Sequence, residues 1–260
     1  KHYQDKKPPV RKRSPENIIE EFQLLKSQGY KAVNVQDDQF VWGEERTVQI
    51  CEGIKDLGII WGCAARSDHL NEPIVKAMAA SNCKFIDLGV ESFNQAILDS
   101  IKKDIKVENV IKDFALTKKA GIKSLAFMML GFPGETPADI NLTARLVKKI
   151  KPEITRFHIV TPYPGSELRK YLDECNLLET TDDYKFDTRI NVIHNTKEMT
   201  AEEIKKYYKL LVFRFENSRW YYVKFLAKSL ISVDGWKKLL KRSGIIRDYL
   251  LGWRVLAQKS

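Results

Sequence analysis

Residues 122–140 read IKSLAFMMLGFPGETPADI. The first nine form a largely apolar, strand-length run; Gly131, Pro133 and Gly134 then break the pattern, and a capped helix is expected to follow. Glycines at a strand-to-helix junction let a backbone come close to a ligand. The lysine and hydroxyl pair that follows the last glycine of a nucleotide-phosphate loop is missing, so this loop is not of the Walker type. The stretch is one βα unit.

Working outward, strand-like runs recur at βα spacing over 31–36, 58–64, 84–90, 122–130 and 154–161. Helical patterns lie between them at 44–57, 71–81, 94–120, 137–151 and 166–175, the third expected to split near Asp104. Ser14, Pro15 and Asn17 mark a further helix start, with Ile18, Ile19, Phe22 and Leu25 on one side. Alternation of this kind builds a parallel sheet covered by helices. A leading helix with no strand before it implies a strand, and the loop after it, upstream of Lys1. The expected fold is therefore α/β: a partial (β/α)6 TIM-type barrel lacking its first strand, with six helices for five strands and a C-terminal helical region. The expected boundaries are a basic connector at 1–13, the barrel at 14–176, an irregular linker at 177–199 and a basic, aromatic-rich helical region at 200–260, opened by the capping box TAEEI.

A chain of 260 residues that is 43% hydrophobic can bury a real core. No stretch approaches the ~20 apolar residues that cross a bilayer, and no signal peptide is visible. The chain begins with Lys1 and a basic stretch, so it reads as part of a longer protein. Its four cysteines, Cys51, Cys63, Cys83 and Cys175, form no CxxC or CxxxC pair and read as structural thiols in a reducing, cytoplasmic compartment. The net charge of +10 is uneven: residues 201–260 hold 14 Lys and Arg against 5 Asp and Glu, and residues 1–13 hold 6 against 1. The remainder is slightly acidic, which argues against a nucleic-acid-binding centre. The tail combines this charge with Tyr207, Tyr208, Phe213, Phe215, Trp220, Tyr221, Tyr222, Phe225, Trp236, Tyr249 and Trp253. Two readings of it stand: helices packed beside the barrel, or a surface for a membrane, an apolar substrate or a partner domain.

In a βα-repeat fold the site lies at the C-terminal ends of the strands. Those ends carry Gln36-Asp37-Asp38, Arg66, Glu91-Ser92, Gly131 to Glu135, and Thr161-Pro162-Tyr163-Pro164. In order, the segments are VNVQDDQF, WGCAARSDHL, LGVESFNQAILDSIKK, FMMLGFPGET and IVTPYPGSEL. Together they resemble the radical S-adenosylmethionine (radical SAM) superfamily, and more narrowly its cobalamin-associated branch of magnesium-protoporphyrin ester cyclase-like enzymes.

The resemblance implies S-adenosylmethionine as cofactor and a [4Fe–4S] cluster on a CxxxCxxC loop after strand one. The chain contains no such loop, so the cluster ligands are expected upstream, as is a further domain holding cobalamin. Asp37 and Asp38 match the carboxylates that receive the methionine ammonium, a charge-assisted hydrogen bond; capping a helix is the alternative. Glu91 and Ser92 match a GxES segment that reaches the ribose and amino-acid part, with Ser92 alternatively capping the helix that starts near Asn94. Lys103, or its neighbour Lys102, falls where the family has a basic partner for the cofactor carboxylate, although Asp104 replaces the glycine common after that lysine. Arg66 is assigned the same role or an acidic substrate; a solvated arginine is the alternative. Phe127, Met129 and Gly131 are expected against the adenine, with Glu135 steadying the turn. Thr161 and Tyr163 belong to the sixth family strand, Tyr163 being placed for stacking unless the loop is only proline-stiffened. No catalytic or metal-ligating residue is expected in this chain, and His158 reads as a core or rim residue.

Joined to its cluster loop, such a protein is expected to generate a 5′-deoxyadenosyl radical for methyl transfer or oxidative cyclisation. The partners expected are a small-molecule or lipid-like substrate, a reductant such as ferredoxin or flavodoxin, and a membrane surface met peripherally by residues 200–260. Two alternatives come from other classes: a cluster-less barrel serving as a binding or scaffold module, and an RNA-modifying radical enzyme that grips its substrate through the basic tail. The tail shows no recognisable RNA-binding fold.

Overall fold

The computed structural model of the chain describes residues 11–180 and 192–216. Two compact units divide it, Lys1–Asp87 with Lys112–Ser124 and Leu88–Ile111 with Leu125–Ser260. The five expected strands are all present: β1 (Ala32–Asn34), β2 (Ile60–Ala65), β3 (Cys83–Glu91), β4 (Lys123–Leu130) and β5 (Ile154–Ile159). They form one sheet of parallel strands in the order β1-β2-β3-β4-β5, the order of a partial (β/α) barrel, so the expected α/β class holds.

Helices α1 (Pro15–Ser27), α2 (Glu44–Ile54), α3 (Glu72–Ala80), α4 (Gln95–Ser100), α5 (Val107–Lys119), α6 (Pro137–Ile150) and α7 (Glu167–Glu174) fill the expected positions, with the split falling between α4 and α5. Helix α1 does precede the first strand. Its N-cap is Ser14, whose side chain accepts the Asn17 N–H, with proline in the first turn. The same chemistry starts α3 at Asn71, α6 at Thr136 and α7 at Ser166, the Thr136 start being a full capping box with Asp139. A second capping box, Thr200 with Glu203, opens α8 (Ala201–Leu211), after which Val212–Glu216 form one π-helical turn. Strand β2 starts later than expected because Gly58, at φ +65, closes a 3-10 turn first.

In the first unit α1 buries Ile18 and Phe22. Trp61 of β2 meets Phe22 and Phe40 edge-on at 6.3 and 5.5 Å, and its indole N–H donates to the Ser81 carbonyl at 2.8 Å. A large ring is thus buried with its one polar atom satisfied. In the second unit β4 and β5 pair in parallel with Phe127 opposite Arg156 and Met129 opposite His158. Ala126, Met128 and Leu130 of β4 are buried, whereas Leu125, Phe127 and Met129 are half-buried on the other face. Ile97, Phe132 and Val160 form a buried cluster, with Ile101, Met129 and Leu168 packed on it.

Beyond β5 the second unit closes its own strand edge. Glu216 accepts the Phe157 N–H at 2.6 Å, and Phe215 lies 6.0 Å from the Phe157 ring, so a carboxylate takes the backbone donor that a sixth strand would use. Among the described residues no helix is long and apolar enough to cross a membrane. Trp220, Tyr221, Tyr222, Phe225, Trp236, Tyr249 and Trp253, on which the membrane-surface reading rests, lie outside the described residues.

Candidate functional site

In the first unit, Asp37 and Asp38 are exposed in the stretch between β1 and α2. That stretch is tied to β2 by Val35 N–H to the Gly62 carbonyl and Phe40 N–H to the Ala64 carbonyl, both 2.9 Å. The N-cap of α2 is Gly43, so neither aspartate caps the helix. Arg66, just past β2, meets Asp68 fork to fork, at 2.9 and 2.7 Å, and is not simply solvated.

On β3 the alternation sets Asp87, Gly89 and Glu91 on one face, opposite the buried Ile86, Leu88 and Val90. Burial raises the pKa of the Asp87 carboxyl, which the strand-end reading passed over.

In the second unit β3 ends at Glu91 with φ +65, a left-handed conformation that costs a residue with a Cβ about 1–2 kcal/mol. The carboxylate folds back to accept from Lys103 Nζ at 2.7 Å, and each side chain is only about a fifth exposed (21% and 19%). The pair lies over Gly89: a Cβ there would sit 3.1 Å from Glu91 Oε1 and 3.3 Å from Lys103 Nζ. Lys103 is brought back by a tight turn after α4 in which Lys102 and Asp104 both take positive φ, 55 and 54. Asp104 therefore occupies a left-handed position that the glycine common in the family would occupy without strain. Lys102 points elsewhere, to exposed Glu167 at 3.3 Å.

Ser92 is buried, and its hydroxyl accepts the Asn94 N–H at 3.1 Å. The cap of α4 is Asn94 itself, which accepts from Ala96 and Ile97 and donates to Asp139 at 2.8 Å. The capping role considered for Ser92 thus belongs to Asn94.

Gly131 begins the turn after β4 at φ +88, and Gly134 follows at φ +82. The Gly131 N–H donates to Glu135 Oε2 at 2.6 Å and its carbonyl accepts from His194 Nε2 at 2.8 Å. Both backbone groups of Gly131 are therefore engaged within the protein. Glu135 is 2% exposed, and burial pushes its pKa up to about 7 against the lowering effect of the Gly131 and Phe132 backbone. Phe127 is half-buried, its ring centroid 5.9 Å from that of His158, and Met129 is half-buried beside it on the same face. Thr161 donates its hydroxyl to the Ile159 carbonyl at 3.3 Å, and Tyr163 is 57% exposed.

The strand ends thus carry a constrained ion pair over a glycine and a glycine turn with both backbone groups tied. Residues 2–147 match the family model described as Radical SAM superfamily. The chain belongs to the radical SAM superfamily. Among its relatives is an uncharacterized methyltransferase of Pyrococcus horikoshii, 34% identical over 196 residues, 74% of this chain and 42% of the relative. The anaerobic magnesium-protoporphyrin IX monomethyl ester cyclase of Rubrivivax gelatinosus is 24% identical over 68% of this chain and 33% of its own length. This radical SAM chain therefore spans less than half the length of either relative. The structure of the radical S-adenosylmethionine methyltransferase TsrM from Kitasatospora setae, with cobalamin and a [4Fe–4S] cluster bound, shares the fold at TM-score 0.57 and 16% identity, over 76% of this chain and 41% of that one.

Radical SAM membership implies S-adenosylmethionine and a [4Fe–4S] cluster. Cluster ligands are thiolates. Three buried thiols are the opposite: burial pushes Cys51 up to about 11 and Cys83 up to about 12, and raises Cys63 too. Among the described residues no group of three or more His, Cys, Asp and Glu side chains is arranged to hold a metal ion. The described residues of this chain do not fit the cluster. In the second unit the donor set does fit S-adenosylmethionine: a carboxylate and an ammonium group beside a bare glycine, with a half-buried apolar face on β4.

Proposed function

We propose that this chain supplies the S-adenosylmethionine-binding residues of a radical SAM enzyme of methyltransferase type. The observation that carries the reading is Glu91: a charged residue held at positive φ at a strand end, where glycine would be unstrained, with its carboxylate fixed by Lys103. Strain retained in this way points to a side chain whose chemistry is required there.

In the second unit, Glu91 accepts the ribose hydroxyls of S-adenosylmethionine, assisted by Ser92, and Lys103 neutralises the cofactor carboxylate. Phe127 and Met129 offer an apolar surface to the adenine, and Tyr163 an exposed ring for stacking. Thr161 supplies a backbone group. Gly131 acts by shaping the turn, since both of its backbone groups are bonded inside the protein, and Glu135 holds that turn. In the first unit, taken by itself, Asp37 and Asp38 are exposed carboxylates suited to an ammonium group, and Arg66, held by Asp68, is a cation suited to an acidic one. When bound, S-adenosylmethionine would supply methyl-transfer and one-electron chemistry; the residues of this chain would bind and orient it.

Methyl transfer is preferred to oxidative cyclisation because the relative at 34% identity carries a methyltransferase name, whereas the cyclase stands at 24%. The proposal includes a small-molecule or lipid-like substrate and a reductant such as ferredoxin or flavodoxin. It assigns neither the cluster nor cobalamin to residues of this chain.

Ultraviolet cross-linking of radiolabelled S-adenosylmethionine to the protein as its gene encodes it, followed by peptide mapping, tests the assignment. Label is expected in peptides covering 87–103 and 123–136 and to be displaced by excess unlabelled cofactor. Label confined to peptides outside 31–166 would refute the proposal.

A further inference from the structure

The turn after β4 contains two left-handed glycines and one proline, and glycine-rich backbone is conformationally soft unless it is tied. Residues far along the chain supply the ties. His194 Nε2 lies 2.8 Å from the Gly131 carbonyl oxygen, and a carbonyl only accepts, so Nε2 carries the proton. His194 is fully buried, and its Nδ1 has no hydrogen-bond partner. The ring is thus neutral, in agreement with the lowering of its pKa by burial. A second tie runs from the Gly134 N–H to Glu198 Oε2 at 3.0 Å. A third is steric: a Cβ on Gly131 would stand 3.3 Å from Ile204 Cγ2 and 3.4 Å from His194 Nε2.

The segment that carries these groups is itself fixed. Leu178 and His194 form an antiparallel bridge, with Glu179 N–H donating to the Ile193 carbonyl at 2.8 Å and Asn195 N–H to the Leu177 carbonyl at 2.7 Å. The Asn195 side chain accepts the Ala201 N–H at 2.7 Å, which joins the bridge to α8. Residues 192–204 form a bracket with a defined foot at each end.

We propose that His194 is a positioning residue of the radical SAM reaction, the centre of a bracket over residues 192–204 that holds the Gly131–Gly134 turn in the form that presents Phe127 and Met129 to S-adenosylmethionine. The proposal rests on the cofactor reading above and extends it to a segment beyond the barrel strands. The imidazole acts through Gly131 and does not touch the cofactor.

The test compares wild type, His194→Leu, His194→Gln and Glu198→Ala in the protein as its gene encodes it. Hydrogen exchange of peptides covering 131–136 is read beside the Kd for S-adenosylmethionine. Leucine fills the space but cannot donate, whereas a glutamine amide can place a donor near Nε2. His194→Leu is expected to exchange about tenfold faster in this turn and to bind about tenfold more weakly, with His194→Gln restoring most of both. Wild-type exchange and affinity in His194→Leu would overturn the proposal. If that variant does not fold, exposed Glu198 decides: Glu198→Ala is expected to speed exchange at Gly134 and weaken binding, and no change in either overturns the bracket. Absence of S-adenosylmethionine binding by wild type, with exchange still responding to His194→Leu, would sink the cofactor reading and reduce the bracket to a structural tie, overturning the positioning role.

Discussion

Glu91→Gly is expected to leave the fold nearly as stable as wild type while weakening S-adenosylmethionine binding tenfold to a hundredfold. Glycine at φ +65 removes a left-handed cost of about 1 kcal/mol. Loss of the carboxylate removes one 2.7 Å charged hydrogen bond from the Lys103 ammonium, a cost of similar size and opposite sign. Glu91→Ala loses the same pair and keeps the strained backbone, so it should be less stable than Glu91→Gly by about 1 kcal/mol in denaturant unfolding. Both variants lack the carboxylate that accepts from the cofactor, a charged hydrogen bond of about 1.5–3 kcal/mol. A strain relief of this kind without loss of affinity would mean that Glu91 serves the turn alone.

The second large effect concerns pH. Glu135 has a folded pKa of about 7 against an ordinary value of 4.5, because burial penalises its charged form. Between those values the folded chain holds a proton that the unfolded chain has released, so stability falls as pH rises through this window. The contribution is fully present below 4.5 and is lost as pH passes about 7. Glu135→Gln keeps an acceptor for the Gly131 N–H and cannot ionise. Its stability should match wild type near pH 4.5 and exceed it by about 2–3 kcal/mol at pH 8. Asp113, also pushed up to about 7 by burial and by Asp68, shifts both proteins alike, so the difference between them isolates Glu135. Parallel pH profiles for the two proteins would show that the buried carboxyl is not raised.

Much of the fold was legible because it depends on local chemistry. Apolar runs of strand length, separated by capped helices, located all five strands, and Ser14-Pro15 located the leading helix. Strand ends were less exact, since they follow hydrogen bonding and turn geometry, as at Gly58. The break near Asp104 was visible, but not its form, two left-handed residues on either side of Lys103.

Of the site, the residues at the strand ends were legible and their partners were not. Glu91 and Lys103 were assigned separate contacts with the cofactor, and only the fold shows that they pair with each other, at 2.7 Å. Asp87 and Gly89 could have been found from Glu91 by the two-residue period of a strand. The positive φ of Glu91 has no sequence signature, because glutamate is not a residue that turns favour. His194 carried no signal either: it reaches Gly131 across 63 positions, and only the folded chain brings them together.

The central claim, that these strand ends bind S-adenosylmethionine, is tested most directly by calorimetric titration of the protein as its gene encodes it, under anaerobic conditions, first with S-adenosylmethionine and then with ATP. The account predicts saturable S-adenosylmethionine binding that ATP neither matches nor displaces, because the turn at Gly131 lacks the lysine and hydroxyl of a triphosphate loop. Equal or tighter binding of ATP, or no binding of S-adenosylmethionine, would contradict it.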